Sequence, residues 1–133
     1  PKTQIAARKA MIAAKALGNG LTVQILSGTR TYAEQNKLFA QRPKVTNARA
    51  GQSNHNFGIA FDVGIFKGKT YYTGSTKAQE QAYINLSKLI IPVTGLDWGG
   101  LWKSITDYPH YELKTGKSVS QIRALLEAGK PYV

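Results

Sequence analysis

The sequence contains no cysteine. This absence excludes disulfide bonds, thiol nucleophiles and every metal site built on cysteine. Long hydrophobic runs are also lacking, since none approaches the roughly 20 apolar residues of a membrane-spanning helix. The start of the chain lacks the basic segment followed by an apolar one that marks a secretory signal peptide. We therefore expect neither a signal peptide nor a transmembrane segment.

Acidic residues are scarce. Asp and Glu together number 7 against 18 Lys and Arg, which gives a formal net charge of +11. A field of this sign attracts polyanions, whether nucleic acid, anionic lipid or an acidic cell wall. Because the basic residues are spread along the whole chain, the pattern favours general attraction to a charged surface. The length of 133 residues with 42% hydrophobic residues predicts one domain with a core of its own.

Local patterns predict helices that alternate with short strands. The predicted helices cover residues 2–17, 31–41, 76–90 and 118–128, and Pro92 is expected to end the third. The predicted strands cover residues 21–26, 57–66 and about 109–113, with a turn at "KGK" that leads to "TYY". Residues 42–54 have the composition of a loop, and "DWGG" that of a tight turn. This order predicts an α+β fold in which helices flank a small, mostly antiparallel sheet.

Each of the two histidines has an aspartate nearby. His55 and Asp62 open and close the segment "HNFGIAFD", and Asp107 precedes His110 by three residues in "DYPHYE". Imidazole and carboxylate are the ligands of catalytic zinc, where three protein ligands leave a fourth position for water. His55, Asp62 and His110 would supply the three ligands. Asp107 then remains as a carboxylate that can take a proton from that water.

The spacing of the first pair imposes a condition. On a regular strand, residues seven apart point to opposite faces. The metal hypothesis therefore requires His55 to lie in the loop before the strand, or a bulge at Gly58. The alternative is that both histidines are structural.

Other chemistries find less support. The sequence contains neither a G-x-S-x-G elbow nor an H-E-x-x-H helix. Glycoside hydrolysis needs a pair of carboxylates, for which the candidates are Glu34, Asp62, Asp107 and Glu112. Such a pair would not explain either histidine.

Four sequence blocks resemble the L-alanyl-D-glutamate peptidases that phages use as endolysins. The blocks are "SGTRTYAEQNKLFAQ", "VTNARAGQSNHNFGIAFDVGIF", "DWGGLW" and "DYPHYEL". This group belongs to the wider family of zinc peptidases that includes the VanX and VanY D-Ala-D-Ala peptidases. The resemblance runs from about residue 22 to residue 113. It implies the Hedgehog/DD-peptidase type of fold and cleavage of peptidoglycan stem peptides between L-Ala and D-Glu.

The resemblance also implies roles for individual residues. Zn²⁺ is held by His55, Asp62 and His110. Asp107 acts first as base and then as acid, and Arg30 stabilises the developing oxyanion together with the metal.

Further positions carry weaker expectations. Gln35 and Ser53 match polar positions that line the cleft of the family. Trp98 is expected either in the core or as a wall of the cleft, and we count it with Gln35 and Ser53 as a candidate for substrate binding. Glu112 shares a strand face with His110, so it is either a support for that ligand or a plain exposed carboxylate.

The resemblance extends to partners and localisation. Only about 20 residues follow "HYEL", and they read as one helix. We therefore expect a single catalytic domain over residues 1–133 without a separate wall-binding domain, as in phages of Gram-negative hosts. A phage enzyme of this kind stays in the host cytoplasm until it reaches the cell wall with the help of a holin. We expect a monomer that the anionic envelope attracts.

Two alternatives stay open. The first is a D,D- or L,D-carboxypeptidase of the same fold, which acts on D-Ala termini with the same catalytic residues. The second is a non-catalytic basic module that binds wall polymer or nucleic acid. The sequence shows neither a zinc finger nor a ribonucleoprotein motif, so a nucleic-acid partner is not expected.

Overall fold

The computed structural model describes all residues from Pro1 to Val133. Four α-helices and five β-strands have the following bounds: α1 Lys2–Ala14, β1 Leu21–Ser27, α2 Tyr32–Ala40, β2 Ala60–Lys67, β3 Thr70–Tyr71, α3 Lys77–Thr94, β4 Asp97–Trp98, β5 His110–Glu112 and α4 Val119–Glu127. Three short 3-10 helices cover Lys15–Leu17, Asn54–Phe57 and Gly99–Leu101. The predicted α+β class is confirmed. None of the helices combines the length and the hydrophobicity that a bilayer span needs.

The sheet lies in the first of two compact units, which comprises residues 1–27 and 61–114. Its strand order is β1-β2-β5-β4, and β3 also pairs with β2. The β1–β2, β2–β3 and β4–β5 pairs are antiparallel, as expected for a small sheet of this class. The strand β2 is therefore central, and residues on it come close to both β1 and β5.

The core of this unit forms on one face of the sheet. Strand β2 alternates, so that Phe61, Val63 and Ile65 are buried in the core. Helix α1 contributes alanines four residues apart, and α3 contributes larger side chains; the buried members are Ala6, Ala10, Ala14, Tyr83, Leu86 and Ile90. Residues at the intervening strand positions, among them Asp62, point to the opposite face.

The second unit comprises residues 28–60 and 115–133 and contains α2 and α4. The hydroxyl of Thr31 accepts a hydrogen bond from the backbone N–H of Glu34, which caps α2 where the sequence predicted its start. Ser118 and Gln121 form a reciprocal capping box at α4. Near the C-terminus, the hydroxyl of Tyr132 donates to the carbonyl of Phe57 at 2.6 Å. This contact fastens the terminal segment to the 3-10 helix at residues 54–57.

Helix α3 is longer than predicted, so the expected end at residue 90 is wrong. Pro92 lies inside its last turn, where the fixed φ of proline is compatible with a helix and only one backbone hydrogen bond is lost. The hydroxyl of Thr94 bonds to the carbonyl of Ile90 at 2.8 Å and so satisfies an acceptor at this end. The helix ends at Gly95, which adopts the left-handed conformation of a C-cap.

Two shorter segments also depart from expectation. The segment "DWGG" was predicted to be a turn, but Asp97–Trp98 forms β4 opposite Glu112 and Tyr111, and a 3-10 helix follows. The strand predicted from residue 57 begins at Ala60 instead, since residues 54–57 form a 3-10 helix.

Candidate metal centre

His55 lies before strand β2 rather than on it. The hydroxyl of Ser53 accepts a hydrogen bond from the backbone N–H of His55 and caps the 3-10 helix there. Gly58 ends this helix with φ +66°, a left-handed conformation that favours glycine. The condition set by the odd spacing of His55 and Asp62 is thereby met, because the first residue stands outside the regular strand.

The tautomer of His55 follows from its neighbour. Its ring nitrogen Nδ1 lies 2.8 Å from the carbonyl oxygen of Gly28. A carbonyl oxygen only accepts, so Nδ1 carries the proton of a neutral ring. Nε2 then keeps its lone pair, as a metal ligand requires. The side chain is buried, which protects this arrangement from water.

Asp62 and His110 lie on neighbouring strands of the sheet. The backbone N–H of Val63 donates to the carbonyl of Pro109 at 2.9 Å and holds the two strands together at this point. Nδ1 of His110 lies 3.2 Å from Oδ1 of Asp62. On its other side, Nε2 of His110 lies 3.2 Å from Oε2 of Glu112. His110 is therefore flanked by two carboxylates.

The three predicted ligands come together. His55, Asp62 and His110 each offer one ligand atom, and these atoms all lie within 4.8 Å of one another. At bond lengths of about 2.1 Å, two ligands of one tetrahedral zinc are roughly 3.4 Å apart, close to the observed 3.2 Å between Asp62 and His110. Two imidazoles and one carboxylate are also a typical donor set for catalytic zinc. The residues present therefore fit this metal.

The charge of His110 depends on its two carboxylate neighbours. Burial lowers its pKa, but the hydrogen bonds to Asp62 and Glu112 and the charges of both carboxylates outweigh burial and raise the pKa to about 9. Without metal, the imidazole is therefore protonated at neutral pH. Metal binding at this ring releases a proton.

Asp107 is held beside His110 by a tight turn. Its carbonyl accepts from the backbone N–H of His110 at 3.3 Å, and its own N–H donates to the carbonyl of Gly99 at 3.0 Å. A Cβ on Gly99 would overlap the carbonyl oxygen of Asp107. The position of Asp107 thus requires glycine at position 99. Its role as base stays a prediction.

Arg30 and Gln35 contact each other in the second unit. A guanidinium nitrogen of Arg30 donates to Oε1 of Gln35 at 3.3 Å, and Nε2 of Gln35 donates to the carbonyl of Ala48 at 2.8 Å. The backbone N–H of Arg30 also donates to the carbonyl of His55 at 2.9 Å. Gln35 is fully buried, so these contacts give it a role in holding Arg30. Its predicted binding of substrate, like that of Ser53, stays a prediction.

The two tryptophans differ in position. Trp98 is buried in the core and donates from Nε1 to the carbonyl of Tyr108 at 2.8 Å. Trp102, for which the sequence predicts no role at the site, is 37% exposed, and its ring centre lies 4.9 Å from that of His110. These contacts favour packing for Trp98, whose role in substrate binding stays a prediction, and they place Trp102 next to the predicted ligand His110.

Comparisons with known proteins agree with this geometry. A peptidase M15 family model, described as D-alanyl-D-alanine carboxypeptidase, matches residues 46–113. The chain is 34% identical over 113 residues to the peptidoglycan L-alanyl-D-glutamate endopeptidase CwlK of Bacillus subtilis (strain 168). This match covers 75% of the chain and 65% of that relative.

A solved structure supports the fold. The L-Ala D-Glu endopeptidase ChiX of Serratia marcescens matches with a TM-score of 0.56 at 18% identity, over 86% of this chain and 88% of that one. The predicted fold type is thereby confirmed. The family model matches half of the chain, in a segment that contains the three predicted ligands as well as Asp107, so the chain belongs to the peptidase M15 family of zinc metallopeptidases.

Proposed function

We propose that the chain is a zinc-dependent peptidoglycan endopeptidase that hydrolyses the bond between L-Ala and D-Glu of stem peptides. The grouping of His55, Asp62 and His110 carries this proposal, because it provides a catalytic type of metal site in a peptidase family. The choice of bond is supported by the 34% identity to a relative named for that cleavage.

Each of the predicted site residues has a separate role in the reaction. His55, Asp62 and His110 would hold the zinc ion, which when bound would supply Lewis-acid chemistry toward the scissile carbonyl and the attacking water. Asp107 takes the proton of the attacking water and returns it to the departing amine of D-Glu. The guanidinium of Arg30 neutralises the negative charge that develops on the carbonyl oxygen. Gln35 accepts a hydrogen bond from that guanidinium and is itself anchored by its bond to the carbonyl of Ala48.

A carboxypeptidase of the same fold is the second candidate. It is favoured by the description of the family model, D-alanyl-D-alanine carboxypeptidase. The two activities use the same catalytic residues but leave different products. Digestion of purified muropeptides separates them: an endopeptidase creates a new D-Glu amino terminus, whereas a carboxypeptidase releases free D-Ala.

The biological setting is also a proposal. The enzyme acts as a phage endolysin in bacterial cytolysis, remains in the host cytoplasm until a holin admits it to the wall, and works as a monomer. The net charge of +11 supports attraction to the anionic envelope. Lysis of cells should then require co-expression of a holin, and sedimentation should give the mass of one chain.

The proposed function is tested by metal content and wall cleavage in one preparation. We expect about one zinc per chain and stem peptides that begin with D-Glu. A chelator should abolish cleavage and added zinc should restore it. A basic binding module would instead lose affinity steeply with salt and ignore the chelator. A preparation that binds no zinc and leaves the wall intact would contradict the proposal.

A further inference from the structure

We propose that Glu112 is a positioning residue of the metal centre. Its carboxylate accepts a hydrogen bond from Nε2 of His110 and thereby reserves Nδ1 of that ring for the metal. The inference rests on the metal site of the proposed function, but it is independent of which peptide bond is cut.

The geometry of β5 brings the two side chains together. His110 and Glu112 are two residues apart on the strand, so they share a face, while Tyr111 between them is fully buried in the core. Oε2 of Glu112 lies 3.2 Å from Nε2 of His110, and the side chains are only 15% and 8% exposed. A hydrogen bond shielded in this way competes little with water.

The other side of the His110 ring identifies the ligand atom. Nδ1 faces Oδ1 of Asp62, a member of the ligand group, whereas Nε2 faces Glu112, which lies outside that group. A neutral imidazole carries one proton and one lone pair. If His110 and Asp62 share an ion, Nδ1 supplies the lone pair and Nε2 keeps the proton. The carboxylate of Glu112 accepts the hydrogen bond from this Nε2–H.

His55 shows the same arrangement with the nitrogens exchanged. There Nδ1 donates to the carbonyl of Gly28, and Nε2 is left for the metal. Each histidine therefore has an acceptor that fixes its tautomer, a carbonyl in one case and a carboxylate in the other. A carboxylate is the stronger acceptor, so it also makes the ligand nitrogen of His110 more basic. The ring of Trp102 also packs against His110, with the ring centres 4.9 Å apart.

The first test is zinc affinity, measured by competition with a chromogenic chelator at constant pH. Loss of an outer carboxylate typically weakens metal binding about 10- to 100-fold, and we expect this for Glu112→Ala. Glu112→Gln should lose less, because the amide oxygen still accepts from Nε2. Asp97→Ala is the matched control: Asp97 lies opposite Glu112 in the β4–β5 register, but its carboxylate faces Lys114 at 3.7 Å. Asp97→Ala removes one negative charge, as Glu112→Ala does, and should leave the zinc affinity unchanged.

The second test reads the tautomer directly. Nitrogen NMR of the zinc-loaded wild type should show His110 bound through Nδ1 and protonated at Nε2. Binding through Nε2, or an affinity of Glu112→Ala equal to that of wild type, would overturn the inference. If Glu112→Ala does not fold, Glu112→Gln together with the spectrum decides. A wild type that binds no zinc would overturn the proposed metal site itself, which is a distinguishable outcome.

Discussion

Gly99 and Asp107 approach so closely that a Cβ on Gly99 would overlap the carbonyl oxygen of Asp107. The same Cβ would lie 3.1 Å from the Cβ of His110. Since backbone cannot yield as a flexible side chain does, Gly99→Ala should displace the turn that carries both residues. We expect a stability loss of about 1–3 kcal/mol, typical of overpacking. We also expect weaker zinc binding and slower cleavage, measured on the folded fraction.

The matched control for Gly99→Ala is Gly18→Ala. Gly18 has φ +67°, and nothing lies within 4 Å of an added Cβ. Alanine there strains the backbone by roughly 1–3 kcal/mol and leaves the metal centre untouched. If both variants lose activity equally, the effect of Gly99→Ala comes from stability alone, and the close contact does not position Asp107.

Asp107 is expected to act on the proton and not on the metal. Asp107→Asn preserves shape and the turn but cannot accept a proton, so cleavage should fall about 10²- to 10⁴-fold. Zinc content should stay at the wild-type level, because Asp107 is not among the grouped ligands. Metal analysis and muropeptide cleavage on the same sample check this. An Asn variant that keeps full activity, or that loses its zinc, contradicts the assignment.

The grouping of the three predicted ligands could be inferred from the sequence because two of them lie in one short segment. His55 and Asp62 lie within eight residues of each other. Their odd spacing means that both can face one metal only if one of them lies outside the regular strand. His110 is distant in sequence, but it is the only other histidine. Because the chain has only two histidines, the third predicted ligand could be chosen without knowledge of the fold.

The tryptophans could not be assigned in this way. Trp98 and Trp102 are separated by "GGL", and their burial depends on the pairing of β4 with β5. Trp98 stands opposite Tyr111 and is therefore directed into the core, while the following 3-10 helix carries Trp102 away from it. A two-residue strand has no periodicity that a sequence pattern could reveal. The extension of α3 beyond Pro92 escaped prediction because a proline inside a helical pattern normally ends the helix before it, whereas Pro92 lies within the last turn.

Gln35 is expected to act through Arg30. Gln35→Leu keeps approximate volume but removes both hydrogen bonds, which leaves the carbonyl of Ala48 without this donor and Arg30 without this acceptor. We expect a stability loss of about 1–3 kcal/mol and slower cleavage at unchanged zinc content. The exposed glutamine Gln81, which bonds only Asn85 in the described contacts, provides the control Gln81→Leu.

A double-mutant cycle tests whether Gln35 acts on the cleavage rate through Arg30 or independently of it. In an Arg30→Ala background, Gln35→Leu should slow cleavage no further, because the group that it positions is gone. Additive effects of the two substitutions on the rate would show that Gln35 acts independently of Arg30.

The metal-free protein is expected to lose stability as the pH rises from about 6.5 to 9. The pKa of His110 is raised to about 9 in the folded chain and has its ordinary value of about 6.5 in the unfolded chain. The contribution of a raised pKa is fully present below 6.5 and is lost as the pH rises through 9. Asp62, Glu112 and Trp102 contact the ring, and the ligand atom of His55 lies within 4.8 Å of those of His110 and Asp62. The loss amounts to about 3 kcal/mol.

Urea unfolding of chelator-treated protein between pH 6 and 9.5 measures this decline. His110→Asn removes the titrating group, so its free energy of unfolding should change much less over the same range. Burial raises the pKa values of Tyr83 and Tyr111 in the folded chain, and these tyrosines contribute little below pH 9.5 because their unfolded side chains titrate only near 10. In the zinc-loaded protein the decline should disappear, since a metal-bound imidazole is already neutral. A wild type whose stability stays constant from pH 6.5 to 9 without metal would show that Asp62 and Glu112 do not hold a proton on His110.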